Sequence, residues 1–129
     1  MKKEVGLWID RRRAAIVTVK DGDMEMRQVV FDIEKQDRSG GAQDFPEEDI
    51  AERRLENHLK KYYDEVISNI HDAQSILIFG PGEAKIELKK RIEGKSFIGK
   101  KIHIESEDKM TDNQITAKVK RHFIKEDKN

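Results

Sequence analysis

Hydrophobic and polar positions along the chain fall into two periods, and the switch between them divides it into elements. Residues 5–10 read VGLWID and residues 14–20 read AAIVTVK, two β-rich runs joined by three arginines, which predicts a hairpin. Lys20-Asp21-Gly22-Asp23 then supplies the Asp-Gly pair of a tight turn. Residues 23–31 alternate Met24 and Met26 with Glu25 and Arg27, as a third antiparallel strand should. The pattern dissolves over residues 32–45, a polar, glycine-bearing loop longer than most connections. After Pro46, with Glu47, Glu48 and Asp49 suited to the positive end of a helix dipole, the period becomes helical. Leu55, Leu59, Tyr62, Val66 and Ile70 recur at steps of three and four, widened by Tyr63 and Ile67, and predict a helix over 47–72, roughly 40 Å long. Residues 75–79, SILIF, are continuously apolar, as a strand buried on both faces requires. Gly80-Pro81-Gly82 turns the chain into a helix marked by Ala84, Leu88 and Ile92 and ended by Gly94. Residues 100–106 alternate again. Thr111 and Gln114 form a capping box ahead of Ile115, Val119 and Phe123, leaving the end of the chain as a frayed tail.

The resulting order is β-β-β-α-β-α-β-α, an α/β domain with a mixed sheet. A meander feeding a strand-helix-strand unit with a right-handed crossover is the order of the ribonuclease H-like fold. A chain of 129 residues suits one core, expected to span 1–125 with 126–129 as the tail.

Charge narrows the function classes only slightly. Twenty-six basic residues balance 26 acidic ones, which argues against a general coating of nucleic acid or membrane and leaves room for a local basic patch. Cysteine is absent, so disulfides, thiol catalysis and cysteine-held metals are excluded. The apolar runs are too short for a signal core or a membrane span, and the cytoplasm is the expected compartment.

Candidate chemistry follows from the elements. A metal nuclease would need converging carboxylates. Asp10, at the end of the first strand, and Glu52 or Glu56 on the long helix offer two of them, but the fourth strand ends in Phe79-Gly80-Pro81 where a third is required. No metal or other cofactor is therefore expected. His58, His71, His103 and His122 lack the spacing of a metal pair and read as surface or edge residues. Neither G-x-S-x-G nor a Walker-type loop is present. GPGEAK, residues 80–85, admits two readings: a tight strand-to-helix turn, or an anion site in which Gly80 and Gly82 expose backbone N–H groups and Lys85 adds charge.

Three stretches together resemble the middle domain of archaeal and eukaryotic class-one release factors and of Pelota, as carried by small bacterial release-factor-like proteins. They are GLWIDRRRAAIV (6–17), ILIFGPGEAKIELKKRI (76–92) and the SGGAQ loop (39–43) between the third strand and the long helix. The resemblance covers most of the chain and implies a translation-related factor associated with ribosomes or RNA. Ribosome or tRNA would be its partner. In the release factors a Gly-Gly-Gln loop enters the peptidyl transferase centre and helps place the water that hydrolyses peptidyl-tRNA. Gly40 and Gly41 match the glycines, and Gln43 matches the glutamine once Ala42 is skipped. One extra residue displaces the Gln by roughly 3 Å or more, and the DFPEED run behind it carries the wrong sign for ribosomal RNA. The readings are thus a factor without catalysis, an ester hydrolase working through Gly40, Gly41 and Gln43, and a protein-binding or homo-oligomeric module with no RNA role. Arg11, Arg12 and Arg13 are the nucleic-acid contacts, with further basic clusters at Lys60-Lys61, Lys89–Arg91 and Lys118–Arg121.

Overall fold

The computed structural model describes residues 3–31, 47–93, 97 and 99–124. Eight elements appear in the expected order: β1 (Lys3–Ile9), β2 (Arg13–Lys20), β3 (Asp23–Val30), α1 (Glu47–Ile70), β4 (Ser75–Gly80), α2 (Ala84–Glu93), β5 (Lys101–Ser106) and α3 (Asp112–Phe123). The strands form one mixed sheet in the order β3-β2-β1-β4-β5. β1 pairs antiparallel with β2 and β2 with β3, whereas β4 runs parallel to both β1 and β5. This is a single α/β domain of ribonuclease H-like topology. Gly94 and the 126–129 tail lie outside the described residues, and so does the whole 32–46 segment.

Local signals set the turns. Asp21 and Gly22 both adopt positive φ, 55° and 86°, the geometry of a type I′ hairpin. Thr111 caps α3: its hydroxyl accepts from the Gln114 N–H, and the Gln114 side chain accepts from the Thr111 N–H.

The period-two alternation divides the core into two layers. Val5, Leu7 and Ile9 of β1, Ile16 of β2 and Ile76 and Ile78 of β4 face α1 and α2, where Tyr62, Val66, Ile70, Leu88 and Ile92 meet them. Trp8, Val17, Leu77 and Phe79 face α3 and pack on Ile115 and Val119. Full burial of such a side chain stabilises by about 1.5–3 kcal/mol. Gly6 is what lets α3 approach: a Cβ there would lie 2.2 Å from a Val119 methyl.

Two expectations are corrected. Leu55 was expected in the apolar stripe of α1 but is 39% exposed, because the buried face begins a turn later, at Leu59. His58, expected at the surface or an edge, is buried beside Leu59, since its place one residue before Leu59 puts it on the flank of the same stripe. Among the described residues no helix is long and apolar enough to cross a membrane.

The Gly6–Val119 approach yields a test. Gly6→Ala should destabilise the domain by about 1–3 kcal/mol through overpacking, and Val119→Ala in the same chain should recover part of that loss. Urea unfolding of the four proteins of the cycle measures the coupling, and strictly additive effects would contradict the packing described.

Candidate functional site

The C-terminal ends of the parallel strands gather the sequence motifs at one end of the sheet, as open α/β sheets do with their binding crevices. Where β1 stops, Asp10 folds the chain back: one of its carboxylate oxygens accepts the backbone N–H groups of Arg12 and Arg13 at 2.8 and 2.9 Å. Its backbone carbonyl accepts the Tyr62 hydroxyl at 2.9 Å, which ties the turn to α1. The Asp10 carboxylate is therefore engaged in an Asx-type turn. Among the described residues no three His, Asp or Glu side chains are grouped to hold a metal ion.

Where β4 stops, Gly80 has φ 149°, and a Cβ on it would sit 2.3 Å from the Ile9 carbonyl oxygen. Only glycine fits. The Gly80 carbonyl then accepts the Glu107 N–H at 3.1 Å, drawing in the residue that follows β5. Gly80, Gly82 and Lys85 do come together in one turn. The Lys85 side chain is buried, and its ammonium donates to the Gly82 carbonyl at 2.7 Å. It closes the turn from inside.

The three arginines have three different fates. Arg13 stacks 4.7 Å from the Trp8 ring and donates to Asp112, Gln28 and the Met110 carbonyl, pinning α3 to the hairpin. Arg11 swings the other way, to the α2 side, where Glu87 accepts from its Nε and one terminal nitrogen. Arg12 is exposed and makes no side-chain bond among the described residues. The run that reads as one basic motif is therefore split across both faces of the sheet.

Glu87 also accepts the Tyr63 hydroxyl, so α1, α2 and the β1–β2 turn meet at one carboxylate. Burial works to raise the Glu87 pKa, but the hydrogen bonds from Arg11 and Tyr63 and the Arg11 charge outweigh it and hold the carboxyl below its usual range. The Tyr63 hydroxyl is pushed well above the ordinary tyrosine value by burial and by the neighbouring Glu87. A turn further along, Arg91 grips Asp64 through two bonds of 2.6 and 2.9 Å.

Two open clefts flank this cluster. One, of about 510 Å³, lies along the α1–α2 seam and is lined by Arg11, Glu56, Lys60, Tyr63, Lys90 and Arg91 among others. The second, of about 650 Å³, is lined by Arg11, Arg12, Val30, Phe31, Leu55 and Leu59. Arg11 and Leu59 line both clefts, which therefore adjoin, and the adjoining pair is called the groove. Sequence reading named Arg11 and Arg12, and noted Lys60 and Lys89–Arg91 only as separate clusters. Their convergence depends on the packing of α1 against α2. Gly40, Gly41 and Gln43 lie outside the described residues, between β3 and α1.

Comparison with known proteins finds no matching family model and no match among curated sequences. Solved structures do match. Pelota of Archaeoglobus fulgidus aligns with a TM-score of 0.59 at 13% identity, over 95% of this chain and 32% of its own. Pelota of Thermoplasma acidophilum gives 0.55 at 14% identity, over 93% and 32%. The archaeal translation termination factor aRF1 gives 0.55 at 15%, over 92% and 34%. The chain thus shares a fold with a segment about a third the length of each.

The Glu87 junction predicts an acid response. A carboxyl whose folded pKa is depressed contributes stability above its unfolded pKa and loses it as pH falls through the folded value. Stability of the parent chain should therefore fall more steeply from about pH 5 to pH 3 than that of Glu87→Gln. Urea midpoints across that range decide, and parallel curves would mean that the junction contributes nothing.

Proposed function

We propose that this chain is a translation-related factor that associates with ribosomes or RNA. The observation that carries the reading is a fold shared with Pelota and a translation termination factor over more than nine-tenths of the chain. Two features support it. The SGGAQ stretch falls between β3 and α1, the place the release-factor resemblance gives to the Gly-Gly-Gln loop. The β1–β2 turn also leaves Arg12 without a side-chain bond among the described residues and Arg11 half-exposed at the end of the sheet where β3 and the groove meet. In this reading the arginine turn contacts nucleic acid. Anion binding at Gly80, Gly82 and Lys85 would draw on the ammonium hydrogens that Lys85 does not donate to the Gly82 carbonyl.

Two narrower readings stay distinct. Ester hydrolysis of peptidyl-tRNA would use Gly40 and Gly41 as the backbone hinge and Gln43 to position water. It faces the Ala42 insertion and the acidic residues that follow. Abolished hydrolysis in a folded Gln43→Ala chain supports it, and an unchanged rate removes it. A homo-oligomeric module with no RNA role draws on the exposure of Val30 and Leu55, 62% and 39%.

The test is co-sedimentation of the purified protein with ribosomes and their subunits. Phosphate-driven association should pellet the protein at about 50 mM salt and release most of it by about 200 mM. A protein that stays in the supernatant at the lower salt and self-associates instead would replace the translation reading with the oligomeric one.

A further inference from the structure

The groove has a chemistry that its separate residues do not reveal. Its two clefts are lined by five cations, Arg11, Arg12, Lys60, Lys90 and Arg91, against two acids, Glu56 and Glu87, on a chain whose total charge is zero. Asp64, at its margin, is held by Arg91. Both acid–arginine pairs are made side-on, through Nε and one terminal nitrogen. Among the described residues neither guanidinium spends its other terminal nitrogen on an acid, so that nitrogen can serve an outside acceptor. Glu87 and Asp64 thus fix the arginines in place. Lys60, Lys90 and Arg12 are exposed and make no side-chain bond among the described residues. Beside these cations the second cleft offers an apolar strip of Val30, Phe31, Leu55 and Leu59.

We propose that this groove binds a short single-stranded RNA segment, with phosphates on Arg11, Arg12, Lys60, Lys90 and Arg91 and a base laid against the Phe31–Leu55 strip. The proposal rests on the reading of an RNA-associated factor and gives that reading a surface among the described residues. A row of cations beside an aromatic and aliphatic surface is how single strands are held without sequence preference, because every base presents a flat face. A duplex would bring the phosphates but keep its bases stacked away from Phe31, leaving the apolar strip unused. An acidic peptide is the rival occupant.

Fluorescence anisotropy of the full chain with a labelled oligouridylate of about 12 nucleotides tests it. Binding should weaken with salt, and each of Lys60→Ala and Lys90→Ala should lower the slope of log affinity against log salt by about 0.7. Lys60→Glu with Lys90→Glu should lose affinity by more than tenfold. Leu55→Ser should reduce the preference for single strand over duplex. Circular dichroism confirms that each variant is folded. Undiminished RNA affinity in the double glutamate variant would overturn the proposal. A chain that pellets with ribosomes yet binds no oligonucleotide keeps the translation reading and refutes the groove. Oligonucleotide binding through Lys60 and Lys90 without ribosome association does the reverse. Tighter binding of a polyglutamate peptide than of RNA would assign the groove to a protein partner.

Discussion

The parallel junction of β1 and β4 is the constraint on which the working end of the molecule depends. Trp8 pairs with Phe79, and the next step places Gly80 so close to Ile9 that no side chain fits between them. Because the two strands end together, the chain must leave the sheet twice within a few ångströms. β1 leaves by the Asp10 turn into the arginines, and β4 leaves by Gly80-Pro81-Gly82 into α2. Each exit is held by its own internal bonds, Asp10 to the Arg12 and Arg13 amides and Lys85 to the Gly82 carbonyl. Tyr62 fastens the first exit to α1 through the Asp10 carbonyl.

From that junction the charges are distributed by geometry. Arg13 goes to the α3 side, where Trp8 and Asp112 absorb it. Arg11 goes to the α2 side, where Glu87 and Tyr63 complete a contact among three elements. On the α3 face Lys118 is likewise neutralised by Glu105 and Glu107. The α1–α2 side is different, since Lys60 and Lys90 line the groove and make no side-chain hydrogen bond or ion pair among the described residues, Lys90 acting on Glu87 only through its charge. A neutral chain thereby acquires a cationic strip among its described residues, which whole-chain charge conceals.

Much of the fold was legible because its signals are local. The Asp21-Gly22 turn, the Thr111–Gln114 capping box and the unbroken SILIF run each determine structure within a few residues, and their order leaves few topologies. The site was legible only in pieces. Lys85 reads as a free cation in GPGEAK, and only tertiary burial turns it inward. Arg11, Arg12 and Arg13 read alike, and partners 15 to 99 residues away separate them. No local pattern links position 11 with 60 and 90, because that adjacency exists only once α1 and α2 pack on the same face of the sheet. Leu55 was misplaced for a related reason: a helical stripe shows which positions share a face, and the neighbouring elements decide how far along the helix that face is covered.

The central claim is that the molecule meets its partner through the groove at the β1–β4 end. Amide hydrogen exchange of the chain, free and bound to ribosomes, tests that most directly. The account predicts protection on binding in the 10–13 turn and in the groove-facing turns of 55–63 and 87–91, with α3 and β5 unchanged. Protection confined to α3 and the β5 edge, with the groove exchanging as in the free chain, would contradict it.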